Sequence, residues 1–466
     1  MSRVSPLAVA IDLGSTAIKV GVLDSAGRLT GVRSSPAPPL RGEGPTREGD
    51  AESYAQVAGA LLQSVAETVP RGTPLGLATQ RSTFTLWDRR DGRPRFPMIS
   101  WQDRRAADWC ARHRGAEAEV VRRTGLPLSP HYIGPKLAAL RESDAAFAAA
   151  LLSPRSALGT LETFLAWRWS AGRQHATDLT VAARSALLDI AREEWSGALL
   201  DLCGVPRSVL PELRPTTRWQ LALDNGLRLR ATLSDQASAA LPLLDPSCGS
   251  ALVNLGTGAF VLLASRDVDL RLPGYLLGPT LATTGGERRY ALEGTINGAG
   301  PAVDRFAPGP TDLPESDPAP AGFALPDVAG LGSPWWRPEI GLTLSPAAER
   351  LDGPGKRRVV LEGLLFRIRA ILADLTGPAP PARIVVAGGL TADAALGPAL
   401  AATLGRPVEL LAAREAGLLG AARLAAGLEP FADPPTETFV PGPRGAYLAQ
   451  KFESWRGWLD ALLSAK

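Results

Sequence analysis

Residues 8–23 read AVAIDLGSTAIKVGVL and residues 250–265 read SALVNLGTGAFVLLAS. The two segments align without a gap, and each sets a small polar turn between two apolar runs. In the first copy Asp12 ends a strand and meets the turn Gly14-Ser15-Thr16. A carboxylate so placed can hold a hydrated Mg²⁺ close to phosphates, while the turn amides point at phosphate oxygens and Gly14 lets the backbone come near. The second copy has Asn254 where the first has Asp12, and its turn Gly256-Thr257-Gly258 offers amides and a hydroxyl without charge. One anionic turn for metal and one neutral turn for phosphate divide the work sensibly, because two carboxylates would repel a nucleotide triphosphate.

Two further places carry chemistry. Asp235, in Leu-Ser-Asp-Gln-Ala, precedes an Ala-rich helical run. It reads either as a helix-start carboxylate, favoured there by the helix dipole, or as an acid–base group. Gly388-Gly389 follows the apolar run Arg383–Ala387, where two glycines let backbone approach a nucleotide's adenine and ribose.

These groups need a scaffold. Strand patterns at Leu7–Ile11, Ile18–Leu23 and Arg28–Ser34, divided by Gly-containing turns, predict a meander. A helix is expected near Ala51–Val69, and strands at Leu75–Thr79 and Phe84–Asp88. Helical segments then dominate from Arg104 to about Leu202. Past a boundary at Leu244–Gly249, strands are expected at Ala251–Leu255, Ala259–Ala264 and Ile384–Ala387. Helices follow at Lys356–Thr376, Ala392–Leu404 and Glu415–Ala426. The Pro- and Gly-rich stretch Pro308–Pro354 reads as surface loop. The segment after Glu429 ends in a helical tail whose Trp455 and Trp458 suit packing. Two domains result, 1–247 and 248–466, a number also expected of 466 residues.

Composition narrows the classes. Net charge is +3 with basic and acidic residues nearly balanced, which argues against a nucleic-acid binder working through a broad basic surface. No apolar run approaches the roughly 20 residues of a membrane span, and Asp12 interrupts the N-terminal apolar stretch, so neither a secretory signal nor a membrane partner is expected. Cys110, Cys203 and Cys248 are odd in number and widely spaced, as suits a reducing cytoplasm. His113, His131 and His175 lack metal-ligand spacing.

The chain resembles the FGGY carbohydrate kinases of the actin-like ATPase superfold, closest to their glycerol kinase branch. Matching stretches run in order along nearly its whole length. They begin with Asp12-Leu-Gly-Ser-Thr16, Gln80-Arg81 and Trp101-Gln-Asp-Arg-Arg105. Thr124–Pro130, Gly159–Leu165, Thr177–Thr180 and Ala183–Ser185 follow, then Asp235–Ser238 and Leu255–Gly258. Tyr290-Ala-Leu-Glu-Gly294, Ala387-Gly-Gly389 and Glu415–Gly420 complete the series. The resemblance implies an α/β fold of two actin-like, ribonuclease H-like domains around a cleft. The N-terminal domain would hold acceptor and base, and the C-terminal domain the nucleotide. It implies ATP and Mg²⁺, with Asp12 and Asp235 at the metal and Asp235 as the general base. Gly14, Ser15, Thr16, Gly256, Thr257, Gly258, Gly388, Gly389 and Asp393 would lie at the nucleotide. Arg81, Ser82, Trp101, His131, Asp235, Gln236 and Phe260 would lie at the acceptor, a small polyol or sugar. A homodimer is compatible with it.

The chain leaves the glycerol kinase pattern in the acceptor pocket. That pattern has Arg-Glu where this chain has Arg81-Ser82, and a Tyr that falls at His131, beside Tyr132. Xylulose kinases resemble Gln-Met-His at Gln80-Arg81-Ser82. Asp393 stands where glycerol kinases usually place Asn. The expected activity is ATP-dependent phosphorylation of a small polyol or sugar hydroxyl. The alternatives are a pentulose-type sugar kinase and a non-catalytic nucleotide-sensing protein on the same scaffold. An actin-like chaperone would need a peptide-binding domain that nothing in the length or tail suggests.

Overall fold

The computed structural model describes residues 5–465 except 246, 248, 257, 308, 310, 312, 314–318, 412–414 and 433–435. Two mixed sheets dominate it, and each is centred on one copy of the repeated hairpin. In the first sheet, strand Pro6–Leu13 pairs antiparallel with Ala17–Asp24, which pairs antiparallel with Leu29–Pro36. On the other side of Pro6–Leu13 lies Pro74–Thr79, parallel, and beyond it Arg228–Ser234, also parallel. The second sheet repeats the plan. Ala251–Leu255 pairs antiparallel with Ala259–Ser265, then Arg288–Ile296 and Leu276–Ala282. Its parallel flank is Ile384–Ala387 followed by Val408–Leu411.

The alternation of strand Pro6–Leu13 sorts its two faces. Val9, Ile11 and Leu13 pack with Tyr54, Ala58, Leu62 and Val65 of helix Ala51–Ala66, which Asp50 caps by accepting from the Glu52 amide. The opposite face carries small residues, Ala8, Ala10, Ala78 and Ala231. Helix Ala416–Ala425, late in the chain, lies against that face. A Cβ at Gly76 would stand 2.0 Å from the Ala421 carbonyl oxygen, and one at Gly420 1.9 Å from that of Ser238. Glycine at both positions permits the close crossing of this helix over the first sheet and over helix Asp235–Ala240.

Three expectations change. Helical structure between residues 104 and 202 is interrupted by strands Ser156–Thr160 and Ala176–Asp178. The helix expected from Ala392 starts at Leu396, after a short 3₁₀ turn Gly389–Ala392. The segment 308–354 is not simply surface loop: Leu325, Asp327, Leu331, Ser333 and Ile340 are buried. Asp327 accepts from the Gly332 amide at 3.0 Å and from Nε of the equally buried Arg367 at 3.3 Å. Satisfied polar groups let a Pro-rich segment sit inside. The tail helix Gly445–Ser464 packs as expected, with Trp455 buried and its Nε1 donating to the Ala324 carbonyl at 2.9 Å.

Candidate active site

The chemistry-bearing residues collect at the carboxyl ends of the parallel strands of both sheets, where open α/β sheets place ligands. In the first sheet Asp12 pairs with Ala78, so Gln80-Arg81 leaves the sheet beside Asp12, and the neighbouring strand delivers Ser234-Asp235. In the second, Asn254 pairs with Ala387, so Gly388-Gly389 leaves beside Asn254. Thr79-Gln80 and Gly388-Gly389 therefore occupy equivalent places in the two halves.

Asp235 does start a helix, Asp235–Ala240, and its carboxylate also faces Arg81. The helix N-cap is Ser234, whose hydroxyl accepts from the Ala237 amide at 3.3 Å. Asp235 is the first helical residue; its Oδ1 accepts from the Gln236 amide at 2.8 Å, and Arg81 Nε stands 3.7 Å away. The carboxylate is 35% exposed where the cleft opens. Crowding by the walls still raises its pKa, against the lowering by Arg81. Gln236 joins the halves by accepting from Asn254 Nδ2 at 3.3 Å.

Among the described residues, one carboxylate oxygen of Asp12, Oδ1, is buried without a hydrogen-bond partner. Burial first, then the Asp235 and Glu415 charges, push its pKa up to about 7, while Lys19 opposes them. Lys19 pairs with Glu415 at 2.9 Å, at the start of the crossing helix, and a Cβ at Gly417 would lie 3.1 Å from Asp12 Oδ2. An orphaned buried carboxylate oxygen in an acidic setting fits a cation. Among the described residues no cluster of three or more His, Cys, Asp or Glu side chains could hold a metal. Mg²⁺ binds through one or two carboxylates plus substrate phosphates and water.

The turns differ in constraint. At Gly14 a Cβ would meet the Ala17 carbonyl oxygen at 2.7 Å, whereas among the described residues Gly256 has only the Gly258 oxygen within 4 Å, at 3.9 Å. Ser15 is half-buried and Thr16 exposed; Thr257 lies outside the described residues. Gly258 and Phe260 pack on each other. Gly388 has φ +105°, and a Cβ there would stand 2.2 Å from the Leu255 carbonyl oxygen, while Gly389 faces open space. Asp393 is engaged elsewhere. Its Oδ2 accepts from the Thr311 hydroxyl at 3.0 Å and lies 3.5 Å from Arg357 Nη2, which balances its charge.

The acceptor side holds two groups that sequence reasoning gave no role. Glu293, from strand Arg288–Ile296 of the second sheet, accepts from Arg81 Nη1 at 3.0 Å and from Arg184 Nη2. Burial alone would raise its pKa; the two arginines overcome this and hold it at about 2. The stretch Tyr290–Gly294 was visible in the sequence, but nothing local tells that its Glu reaches across the cleft. Ser82, at φ +62°, donates to the Arg184 carbonyl at 2.7 Å, so its hydroxyl is turned onto the protein. Trp101 and His131 stand with ring centroids 6.5 Å apart. The second missed group, the buried Lys136, ties them by donating to the carbonyls of Ser100 (2.8 Å), Trp101 (3.2 Å) and His131 (2.9 Å). Burial, with Lys136 and Arg104 nearby, brings His131 down to about 4, so its ring is neutral at pH 7.

Comparison with known proteins places the chain in a family. Residues 7–232 match the N-terminal domain, and residues 251–428 the C-terminal domain, of the FGGY family of carbohydrate kinases. A glycerol kinase of Methylobacterium nodulans is 34% identical over 420 residues, 84% of each chain. Among solved structures, xylulose kinase from Lactobacillus acidophilus superposes with TM-score 0.84 at 19% identity, covering 98% of both chains. Plasmodium falciparum glycerol kinase with ADP superposes with TM-score 0.84 at 19% identity, covering 97% of this chain and 98% of that one. Both share the two-domain fold expected from the repeat. Among the described residues no helix is long and apolar enough to cross a membrane. The chain belongs to the FGGY family of carbohydrate kinases and is an ATP-dependent kinase acting on a sugar or polyol.

Proposed function

We propose that the protein transfers the γ-phosphate of ATP to a hydroxyl of glycerol or a similar small polyol or sugar, with Asp235 as general base. The observation that carries this reading is the position of Asp235. It starts a helix at the cleft, within reach of Arg81 from its own half and beside Gln236, which touches the second hairpin. Its raised pKa makes it a better proton acceptor than an ordinary carboxylate. Asp235 takes the proton of the attacking hydroxyl as that oxygen attacks the γ-phosphorus. Arg81, shared between Asp235 and Glu293, fixes the acceptor's orientation, and Trp101 with His131 forms the wall along its carbon chain. Gln236 and Phe260 line the same space.

The phosphates lie between Gly14-Ser15-Thr16 and Gly256-Thr257-Gly258, with Gly389 open toward the nucleoside and Gly388 setting the turn. Asp12 and Asp235 would hold Mg²⁺, which when bound neutralises charge on the phosphates being parted. Asp393 acts on the nucleotide site indirectly, by fixing Thr311 and Arg357. We place the boundary between the halves at residue 247, with helix Ala416–Ala425 laid back across the first. A cytoplasmic location agrees with its ATP requirement.

Ser82 and His131 favour an acceptor other than glycerol itself. A Ser82 hydroxyl directed onto the Arg184 carbonyl leaves no carboxylate to accept from vicinal hydroxyls, and a neutral imidazole replaces a phenol on the wall. A coupled assay of ADP release over glycerol, longer polyols, pentuloses and gluconate, with product analysis, tests this. Turnover on a polyol or sugar, with glycerol not the best acceptor, is expected; silence across the panel overturns the catalytic reading in favour of a nucleotide-sensing one.

A further inference from the structure

A line of buried hydrogen bonds joins the two substrate regions inside the first half. The Trp101 amide donates to the Thr83 hydroxyl at 3.1 Å, and the Thr83 hydroxyl donates to Gln80 Oε1 at 2.9 Å. Gln80 Nε2 donates to the Tyr54 hydroxyl at 3.1 Å, and the Tyr54 hydroxyl donates to the Gly14 carbonyl. Tyr54, Gln80 and Thr83 are each 4% exposed or less. A backbone amide at one end can only donate, and a carbonyl at the other can only accept. Only one orientation of the two hydroxyls and the Gln80 amide satisfies every link. Bonds aligned head to tail in a dry interior polarise one another.

The ends of this line matter. Gly14 lies in the phosphate turn after Asp12, and Trp101 lies on the acceptor wall, where Lys136 locks its carbonyl to that of His131. Tyr54 itself sits in the first turn of helix Ala51–Ala66. We propose that Tyr54 is a positioning residue whose hydroxyl, through Gln80 and Thr83, sets the phosphate turn in register with the acceptor wall. In-line transfer depends on that register, since misplacement by about 1 Å can cost on the order of a hundredfold in rate. This rests on the kinase reading above.

The test compares Y54F, T83V, T83S and Y54F/T83V with the unmodified full chain. With ATP and glycerol, or the best acceptor of the panel, Y54F should lower kcat about tenfold while both KM values stay within about twofold. The double variant should fall no further than the worse single one, because both cut the same line. T83S, which keeps the hydroxyl, should restore turnover. A purely structural role would lower stability and leave kcat unmoved; that result, or fully additive losses, would overturn the proposal. A second arm needs no substrate: amide exchange of Trp101 in ¹⁵N-tryptophan-labelled protein, the signal assigned with W101F. Exchange in Y54F at least about threefold faster supports the relay, and an unchanged rate sinks it. If the unmodified chain turns over no acceptor, the kinase reading fails by itself, and the exchange arm still decides the relay.

Discussion

Arg81 and Glu293 meet across the cleft, Nη1 of the first donating to Oε2 of the second at 3.0 Å. Arg81 leaves the first sheet and Glu293 belongs to the second, so the contact exists only when the two halves are together. Arg184 completes the cluster, and Glu293 is 3% exposed. Removing the charge of one partner of such a buried pair leaves the others uncompensated, at a cost of roughly 3–5 kcal/mol. E293Q should unfold at markedly lower temperature and raise the acceptor KM, because Arg81 is no longer held between Asp235 and the second half. Calorimetry and steady-state kinetics on the same preparation check both effects. The pair also sets an acid limit. Glu293 is depressed to about 2 from an ordinary value of 4.5, so its stabilisation is complete above 4.5 and is lost as pH falls toward 2.

Metal affinity should follow the protonation of Asp12. Its pKa is raised from 3.8 to about 7, so below pH 7 a cation must displace a proton. Mn²⁺ binding in the presence of ADP, read by electron paramagnetic resonance, should weaken by about tenfold per unit below pH 7 and level off above it. D12N should abolish the pH dependence together with most of the affinity. The same shift makes Asp12 destabilising toward neutral pH. Stability falls as pH rises from 3.8 to 7, and bound metal removes that penalty.

The second-half glycines should separate. Gly388→Ala forces a Cβ to 2.2 Å from the Leu255 carbonyl oxygen at φ +105°, costing more than about 2 kcal/mol. Gly389→Ala meets nothing within 4 Å. It should fold normally and, with Gly389 at the nucleoside, raise the KM for ATP. Thermal unfolding and ATP kinetics of the two variants distinguish a structural glycine from a ligand-facing one.

Lys136 offers a test of the acceptor wall. K136M keeps the aliphatic length but removes the donor to the Trp101 and His131 carbonyls, while the Ser100 carbonyl keeps the Asp103 amide, at a cost on the order of 1–3 kcal/mol for each buried group left unsatisfied. The acceptor KM should rise while the KM for ATP holds; a rise in both would argue against a role confined to the wall.

Much of this was legible in the sequence because it is local. The repeated hairpins show themselves by alternation around a polar turn, and both central strand pairs form where the pattern puts them. Asp12, Gly14 and Gly388 announce themselves by residue type at a strand's end. What was hidden is long-range. Glu293 finds Arg81 at a separation of 212 residues, and helix Ala416–Ala425 belongs in space to a sheet begun by residue 6. The burial of Leu325, Leu331 and Ile340 was masked by the Pro and Gly content around them, since turn-forming residues report on backbone shape, while burial is decided by anchors such as Leu325 and by the Asp327–Arg367 pair. Asp393 was recognised by position alone, and its partners Thr311 and Arg357 lie on segments that no local pattern connects.

The measurement that bears most directly on the account is turnover of Asp235→Asn set beside its nucleotide binding. With ATP, Mg²⁺ and the best polyol or sugar acceptor, the variant should lose about 10²–10⁴-fold in kcat. Its affinity for ADP with Mg²⁺, by titration calorimetry, should stay within a few-fold of the unmodified protein. Full turnover by Asp235→Asn would contradict the assignment of the base and, with it, the account of the cleft.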